Sequence, residues 1–329
     1  MATPTSGTVT LGKAINMGLR RSMEEDPKVL LMGEDIGRLG GVFRVTDGLQ
    51  KDFGEDRVID TPLAESGILG TAVGLAMRGY RPVCEIQFDG FIFPAYNQIV
   101  TQVAKIHARS RGKMPMRIVI RVPFGGGIGA VEHHSESPEA YFSHTPGLKV
   151  VACSNPVDAY WMIQQAIRAD DPVLFFEPKR RYWEKAELDT AVEPGPLFAS
   201  RVLRAGTDCT VLAYGPMVKT ALQAASAVES EGRSLEVVDL RTLSPLDLGP
   251  VVESVKRTGR CIIVHEAQVN LGLGAEVAAR LTEHCFYDLE APVLRVGGYD
   301  TPYPPSKIEE DYLPDLDRVL DAVDRTFTF

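Results

Sequence analysis

A chain of 329 residues with 44% hydrophobic and 24% charged side chains has the composition of a globular protein, long enough for two domains. Its formal charge of −9 argues against a nucleic-acid partner or an acidic membrane surface, and no basic run offsets it. No apolar run reaches membrane-spanning length, and MATPTSGTVT lacks the basic and apolar regions of a leader. The scattered cysteines (Cys84, Cys153, Cys209, Cys261 and Cys285) form no CxxC, so reduced thiols and a cytoplasmic location are expected.

In chain order, Thr10 caps a helix whose face is Leu11, Ile15, Leu19 and Met23, stopped at Asp26-Pro27. A buried strand, Val29 to Met32, runs into a loop carrying Glu34 and Asp35. Residues 37–56 read as a glycine-rich surface loop with one short helix. RVID then leads into DTPLAESGILGTAVGLAMRG, with Thr61 as the expected cap and Pro62 at the first helical position. That helix is apolar all round, which predicts burial, and its glycines allow a backbone or a flat ligand to approach closely. Glu65 is its only acid: either a first-turn glutamate facing water, or a buried carboxylate that needs a partner or a proton.

Pro82 to Phe88 is the next strand, followed by DGFIFP and a helix with Tyr96, Ile99, Val100, Val103 and Ile106 on one face. MRIVIRVPF is a buried strand ending in Gly125 to Gly129, and Ser137-Pro138 starts another helix. LKVVACS, a helix around Asp158 to Arg168, and PVLFFEP complete the first half. Strand and helix alternate, so a mostly parallel sheet covered on both faces is predicted over residues 1–185. Residues 186–206, with Pro194, Gly195 and Pro196, read as a linker with edge strands. Alternation restarts over 207–329, giving an α/β chain of two doubly wound domains, the second smaller.

The motifs narrow the chemistry. Gly125 to Gly129 follows a strand without the GxGxxG spacing, and Gly272-Leu273-Gly274 has Val277 at the third glycine position, so a dinucleotide site is disfavoured. The histidines show no metal spacing. His133-His134 lies between a strand end and a helix start, where an anionic substrate can bind or a proton can move; an exposed loop pair is the alternative. Phe91-Ile92-Phe93 follows a strand end, as core or as the wall of a heterocycle site.

Taken together, GEDIG, RVIDTPLAESGILGTAVGLAMRG, EIQFDGFIFPAYNQI, HHSESPEAYFSHTPGLKVV, FFEPKR, VVDLRTLSPLD, IIVHEA and GYDTPYPP run in order along nearly the whole chain. In these the chain resembles the β subunit of thiamine-diphosphate-dependent 2-oxoacid dehydrogenases, nearest the branched-chain type, with the pyruvate and acetoin types close. The resemblance implies an N-terminal pyrimidine-binding domain and a transketolase C-terminal-like domain. It also implies oxidative decarboxylation of a 2-oxoacid, with the acyl group passed to a lipoyl domain. Glu65 falls where the family's glutamate hydrogen-bonds the aminopyrimidine ring and favours its imino tautomer. Phe91 matches the aromatic that packs on that ring, with Gln87 beside it. His134 matches the histidine that meets the substrate or the lipoyl group, and Glu34 an acidic residue near the subunit interface.

The family's Mg²⁺ is held by a Gly-Asp-Gly turn and a later Asn-Asn. This chain has no GDG, and Asn16, Asn97, Asn155 and Asn270 are never adjacent. The resemblance therefore implies that an α subunit supplies the diphosphate half and the Mg²⁺ in an α2β2 assembly, docked to a lipoyl-bearing dihydrolipoyl acyltransferase core. Family members with a structural potassium ion hold it at positions matching the backbone of Ile118, Ala166, Ala169 and Asp171, with Ala169 standing where relatives carry an aspartate. Two other readings are a non-catalytic docking subunit of the same fold and a self-sufficient transketolase-like enzyme.

Overall fold

The computed structural model describes residues 6–329; the first five residues, part of the expected first domain and of the segment read as lacking a leader, lie outside the described residues. Strand β1 (Ser6–Thr10) runs into α1 (Leu11–Glu25), where the Thr10 hydroxyl accepts from the Lys13 amide at 3.2 Å. The first half continues through β2 (Val29–Gly33), α2 (Leu49–Phe53), β3 (Val58–Asp60), α3 (Glu65–Met77), β4 (Arg81–Glu85), α4 (Tyr96–Gln98) and α5 (Ile106–Arg109). It ends with β5 (Val119–Phe124), α6 (Glu139–Ser143), β6 (Lys149–Ala152), α7 (Pro156–Arg168), β7 (Val173–Pro178) and β8 (Lys185–Asp189). After β9 (Arg201–Arg204) come β10 (Cys209–Ala213), α8 (Met217–Glu229), β11 (Leu235–Asp239) and β12 (Thr242–Ser244). The chain closes with α9 (Gly249–Thr258), β13 (Cys261–Gln268), α10 (Leu273–Cys285), β14 (Leu294–Gly298), α11 (Glu309–Tyr312) and α12 (Leu316–Thr326).

Two sheets carry the fold. The first has strand order β12-β6-β7-β5-β4-β2-β3, and all its pairings are parallel except β12 on β6. The second has order β14-β13-β10-β11-β9, parallel except for β9. β12 comes from the later half of the chain yet joins the first sheet. Side chains alternate across each sheet, as a two-residue period requires. On β7, Val173 and Phe175 enter one core while Leu174 and Phe176 enter the opposite one. That second core also takes Leu212 and Ile263 from the other sheet, whose Val211, Ile262 and Val264 face a third core. One apolar layer is thus shared by both sheets, so the units are packed together rather than strung on the linker.

Four expectations are corrected. Thr61 does not cap α3, and Pro62 is not its first residue: the Thr61 amide bonds the Gly33 carbonyl at 2.9 Å, prolonging the β2–β3 ladder, so the chain turns only at Ala64. Nor is α3 buried all round. Glu65, Ile68, Leu69, Ala72 and Ala76 are buried, while Ser66, Gly67, Gly70, Thr71, Gly74 and Met77 are exposed. The helix expected from Tyr96 to Ile106 is broken, because Ile99–Val103 forms a π turn in which the Ala104 amide reaches the Ile99 carbonyl. The 37–56 segment is only partly a surface loop: Val45, Thr46 and Leu49 are buried, and Phe43 packs on Phe88 and Tyr182 at 5.4 and 4.9 Å between ring centroids.

Candidate active site at the strand ends

Ligands of parallel sheets collect beyond the carboxyl ends of the strands. Glu34 follows β2, Gln87 and Phe91 follow β4, His134 follows β5 and Lys179 follows β7. Glu65 joins them as the first residue of α3, brought over by the β3–α3 turn. The structure therefore brings Glu34, Glu65, Gln87, Phe91 and His134 to one edge of one sheet.

Glu34 and Glu65 are each only 7% exposed. One carboxylate oxygen of Glu34 is buried without a hydrogen-bond partner. Burial pushes the Glu34 carboxyl above its ordinary range, and the neighbouring Glu65 and Asp35 add to it, against one hydrogen bond from the Ala64 amide. Gln87 ties this corner by donating to the Glu34 carbonyl at 3.4 Å and to an Asp35 carboxylate oxygen at 3.3 Å. Among the described residues no cation is paired with Glu34, and one of its oxygens is left able to accept a hydrogen bond.

Aromatic rings cluster on the loops that follow β4 and β5. The His134 imidazole stacks on Phe88, 3.9 Å between centroids and 9° between planes, and meets the half-buried Phe91 edge-on at 5.0 Å. Its Nδ1 lies 2.9 Å from the His133 carbonyl oxygen, which can only accept, so Nδ1 carries a proton and Nε2 is the nitrogen left for a ligand. Beneath the rings, Asp89 and Lys179 are paired and fully buried. Sequence reasoning gave Phe88, Asp89 and Lys179 no role. The available signal was a lysine directly after the apolar strand VLFFEP, where a charge has no water and needs a partner.

The glycine loop after β5 is committed elsewhere. The Gly126 amide donates to Glu266 at 3.0 Å, and those of Gly127 and Gly129 donate to Glu309 at 2.8 and 2.9 Å, so these groups serve the fold's own carboxylates. Gly272 and Gly274 lie where a Cβ would press on His265, at 2.9 and 2.6 Å.

Ile118, Ala166, Ala169 and Asp171 lie at the opposite, amino end of the strands. The Ile118 carbonyl accepts from the Val173 amide at 2.9 Å and that of Ala166 from the Ala169 amide at 3.2 Å. The Arg81 guanidinium donates to the carbonyls of Ile167 and Ala169 at 2.7 and 3.5 Å. The Asp171 carboxylate contacts His107 at 2.7 Å and Lys149 at 3.7 Å. The Arg81 guanidinium thus places one positive charge against these carbonyls. Among the described residues no group of three or more His, Cys, Asp or Glu is arranged to hold a metal, and no helix is long and apolar enough to cross a membrane.

The transketolase pyrimidine-binding domain matches residues 7–184, and the transketolase C-terminal domain matches residues 199–319. A pyruvate dehydrogenase E1 component subunit beta of Leifsonia xyli is 60% identical over 99% of this chain and 97% of its own length. A 3-methyl-2-oxobutanoate dehydrogenase subunit beta of Mycobacterium tuberculosis is 53% identical over 97% of this chain and 92% of its own length. A split-gene transketolase, solved as an inactive beta4 tetramer, superposes with a TM-score of 0.77 over 98% of this chain and 99% of its own, and at 22% identity speaks to fold alone. With this coverage at this identity, the chain belongs to the family of β subunits of thiamine-diphosphate-dependent 2-oxoacid dehydrogenases.

Proposed function

We propose that this chain contributes the pyrimidine half of a thiamine diphosphate site, completed by an α subunit, and that the assembly decarboxylates branched-chain 2-oxoacids and passes the acyl group to a lipoyl domain. The observation that carries this reading is that the Glu34–Glu65 pair and the Phe88–Phe91–His134 cluster both lie beyond the carboxyl ends of one sheet's strands. These residues fit an aminopyrimidine: a buried carboxylate to accept from a ring nitrogen, and a half-buried aromatic to cover a flat face. Thiamine diphosphate, when bound, supplies the carbon nucleophile and the electron sink for the departing carboxyl group.

The chain's own residues do the rest. Glu65, only 7% exposed, would accept a hydrogen bond from the pyrimidine ring, strengthened by that burial. Glu34, its carboxyl raised, can retain a proton near Glu65 and lower the repulsion between the two. Phe91 would cover the ring, and Gln87 ties the Glu34 loop in place. His134 offers Nε2 as the group that takes or gives a proton to substrate or lipoyl sulfur. The exposed small-residue face of α3 suits close approach by a partner backbone, and the Mg²⁺ and diphosphate fall to the α subunit.

Branched-chain preference rests on the segments EIQFDGFIFPAYNQI and SPEAYFSH; pyruvate is the second reading, favoured by the 60% identical relative. The heterotetramer is to be assayed with 3-methyl-2-oxobutanoate, 4-methyl-2-oxopentanoate and pyruvate, with an artificial electron acceptor. The expected result is the highest kcat/KM on the branched acids. A higher value on pyruvate transfers the assignment to the second reading.

A further inference from the structure

We propose that Lys179 and Asp89 form a buried latch whose task is to position His134. It rests on the role assigned to His134 above, and Lys179 and Asp89 act through that histidine without touching substrate.

Three observations converge on the short helical turn Glu132–His134, which carries the two histidines. First, the Lys179 ammonium, with no exposed side-chain surface, donates both to Asp89 and to the His134 backbone carbonyl. Second, the other Asp89 oxygen accepts the Glu136 amide at 2.7 Å, so one carboxylate and one ammonium tie the chain at His134 and two residues beyond. Third, Gly90 sits so close that a Cβ there would lie 2.3 Å from the His133 carbonyl, the same carbonyl that fixes the His134 tautomer. Phe88 joins these contacts, stacking on the imidazole while lying 5.6 Å from the Lys179 ammonium.

The turn needs such restraint. Val131, Glu132 and His133 are exposed, and the glycine-rich stretch before them gives little stiffness. Burial pushes the Lys179 ammonium down and the Asp89 carboxyl up to about 6, each partly restored by the other. A pair so costly to bury contributes geometry more than stability, since apolar residues of the same size would pack as well. Here the geometry it sets is the height and tilt of one imidazole ring.

The test is a double-mutant cycle in the assembled heterotetramer, read as the rate of lipoyl-domain acylation. Lys179→Met is expected to slow acylation about 100-fold, as misplacement of a reacting group does. Affinity for thiamine diphosphate should stay within about threefold. Added to His134→Ala, the same change should cost less than about threefold more. Multiplying losses, or an unimpaired Lys179→Met enzyme, overturn the latch. Hydrogen exchange supplies a readout independent of turnover: the Glu136 amide should exchange faster in Lys179→Met, and unchanged protection also overturns it. If that variant does not fold, the charge-neutral pair Lys179→Met with Asp89→Asn takes its place under the same criteria. Full activity in His134→Ala, with the exchange still accelerated, would refute the role of His134 rather than the restraint on its loop.

Discussion

Two pairs of buried glutamates lie in the same domain, and only one of them is paired with a cation. Glu85 and Glu177 flank Arg121, whose guanidinium donates to Glu85 at 2.6 Å and to Glu177 at 2.6 and 3.0 Å, while the Tyr182 hydroxyl bonds Glu177 at 2.6 Å. Burial opposes the Arg121 charge, but Glu177 and Glu85 outweigh it and hold the guanidinium ionised well above its ordinary range. Glu34 and Glu65 have no such cation. Burial and mutual repulsion raise the Glu34 carboxyl, and one of its oxygens has no donor. The first pair is closed within the chain and belongs to the fold. The second is left open, which is why it is the pair proposed above to meet the cofactor.

Breaking the closed pair should have the largest effect. Arg121→Met strands two carboxylates and should destabilise the chain by roughly 3–5 kcal/mol in denaturant unfolding; a loss below about 1 kcal/mol would mean the triad is not the structural element described. Glu65→Gln should invert this pattern. With repulsion in the corner relieved, the unfolding midpoint should hold or rise, while turnover in the heterotetramer falls roughly 10²–10⁴-fold. A destabilised but active variant would place Glu65 with the fold and dissolve the comparison.

A smaller effect sharpens it. Glu139 is buried and pushed up to about 7 by burial, with the Tyr214 hydroxyl pulling it back and Glu266 adding to the rise. A carboxyl raised on folding contributes stability below its unfolded value near 4.5 and loses it as pH rises through about 7. Glu139→Gln should therefore gain on the wild type by roughly 1–3 kcal/mol between pH 4.5 and 8, measured as the difference between the two stability profiles. Parallel profiles would show that Glu139 folds without changing its proton affinity.

Much of this was legible in the residues. Continuous apolar runs such as PVLFFEP and 3.6-period faces such as Leu11–Ile15–Leu19 place the strands and helices, because a parallel strand here is buried on both faces and an outer helix on one. The loops bearing Glu34, Gln87, Phe91 and His134 follow strands, so their convergence at one sheet edge follows from parallel topology. The delayed start of α3 was not legible, since a proline and a threonine favour a helix locally while the β2–β3 ladder holds the backbone extended. The shared apolar core and β12 crossing into the first sheet depend on how the two units dock, which no local pattern encodes. Asp89 and Lys179 lie 90 positions apart, and only the sheet order that places β4 and β7 on either side of β5 makes them partners.

The central claim is that this chain holds half a site. Its most direct test is 2-oxoacid decarboxylation with thiamine diphosphate, Mg²⁺ and an artificial electron acceptor, run with this chain alone and with its α subunit. Turnover only when both chains are present is the predicted result. Turnover by this chain alone would contradict the account, because the diphosphate would then be bound by residues of this chain.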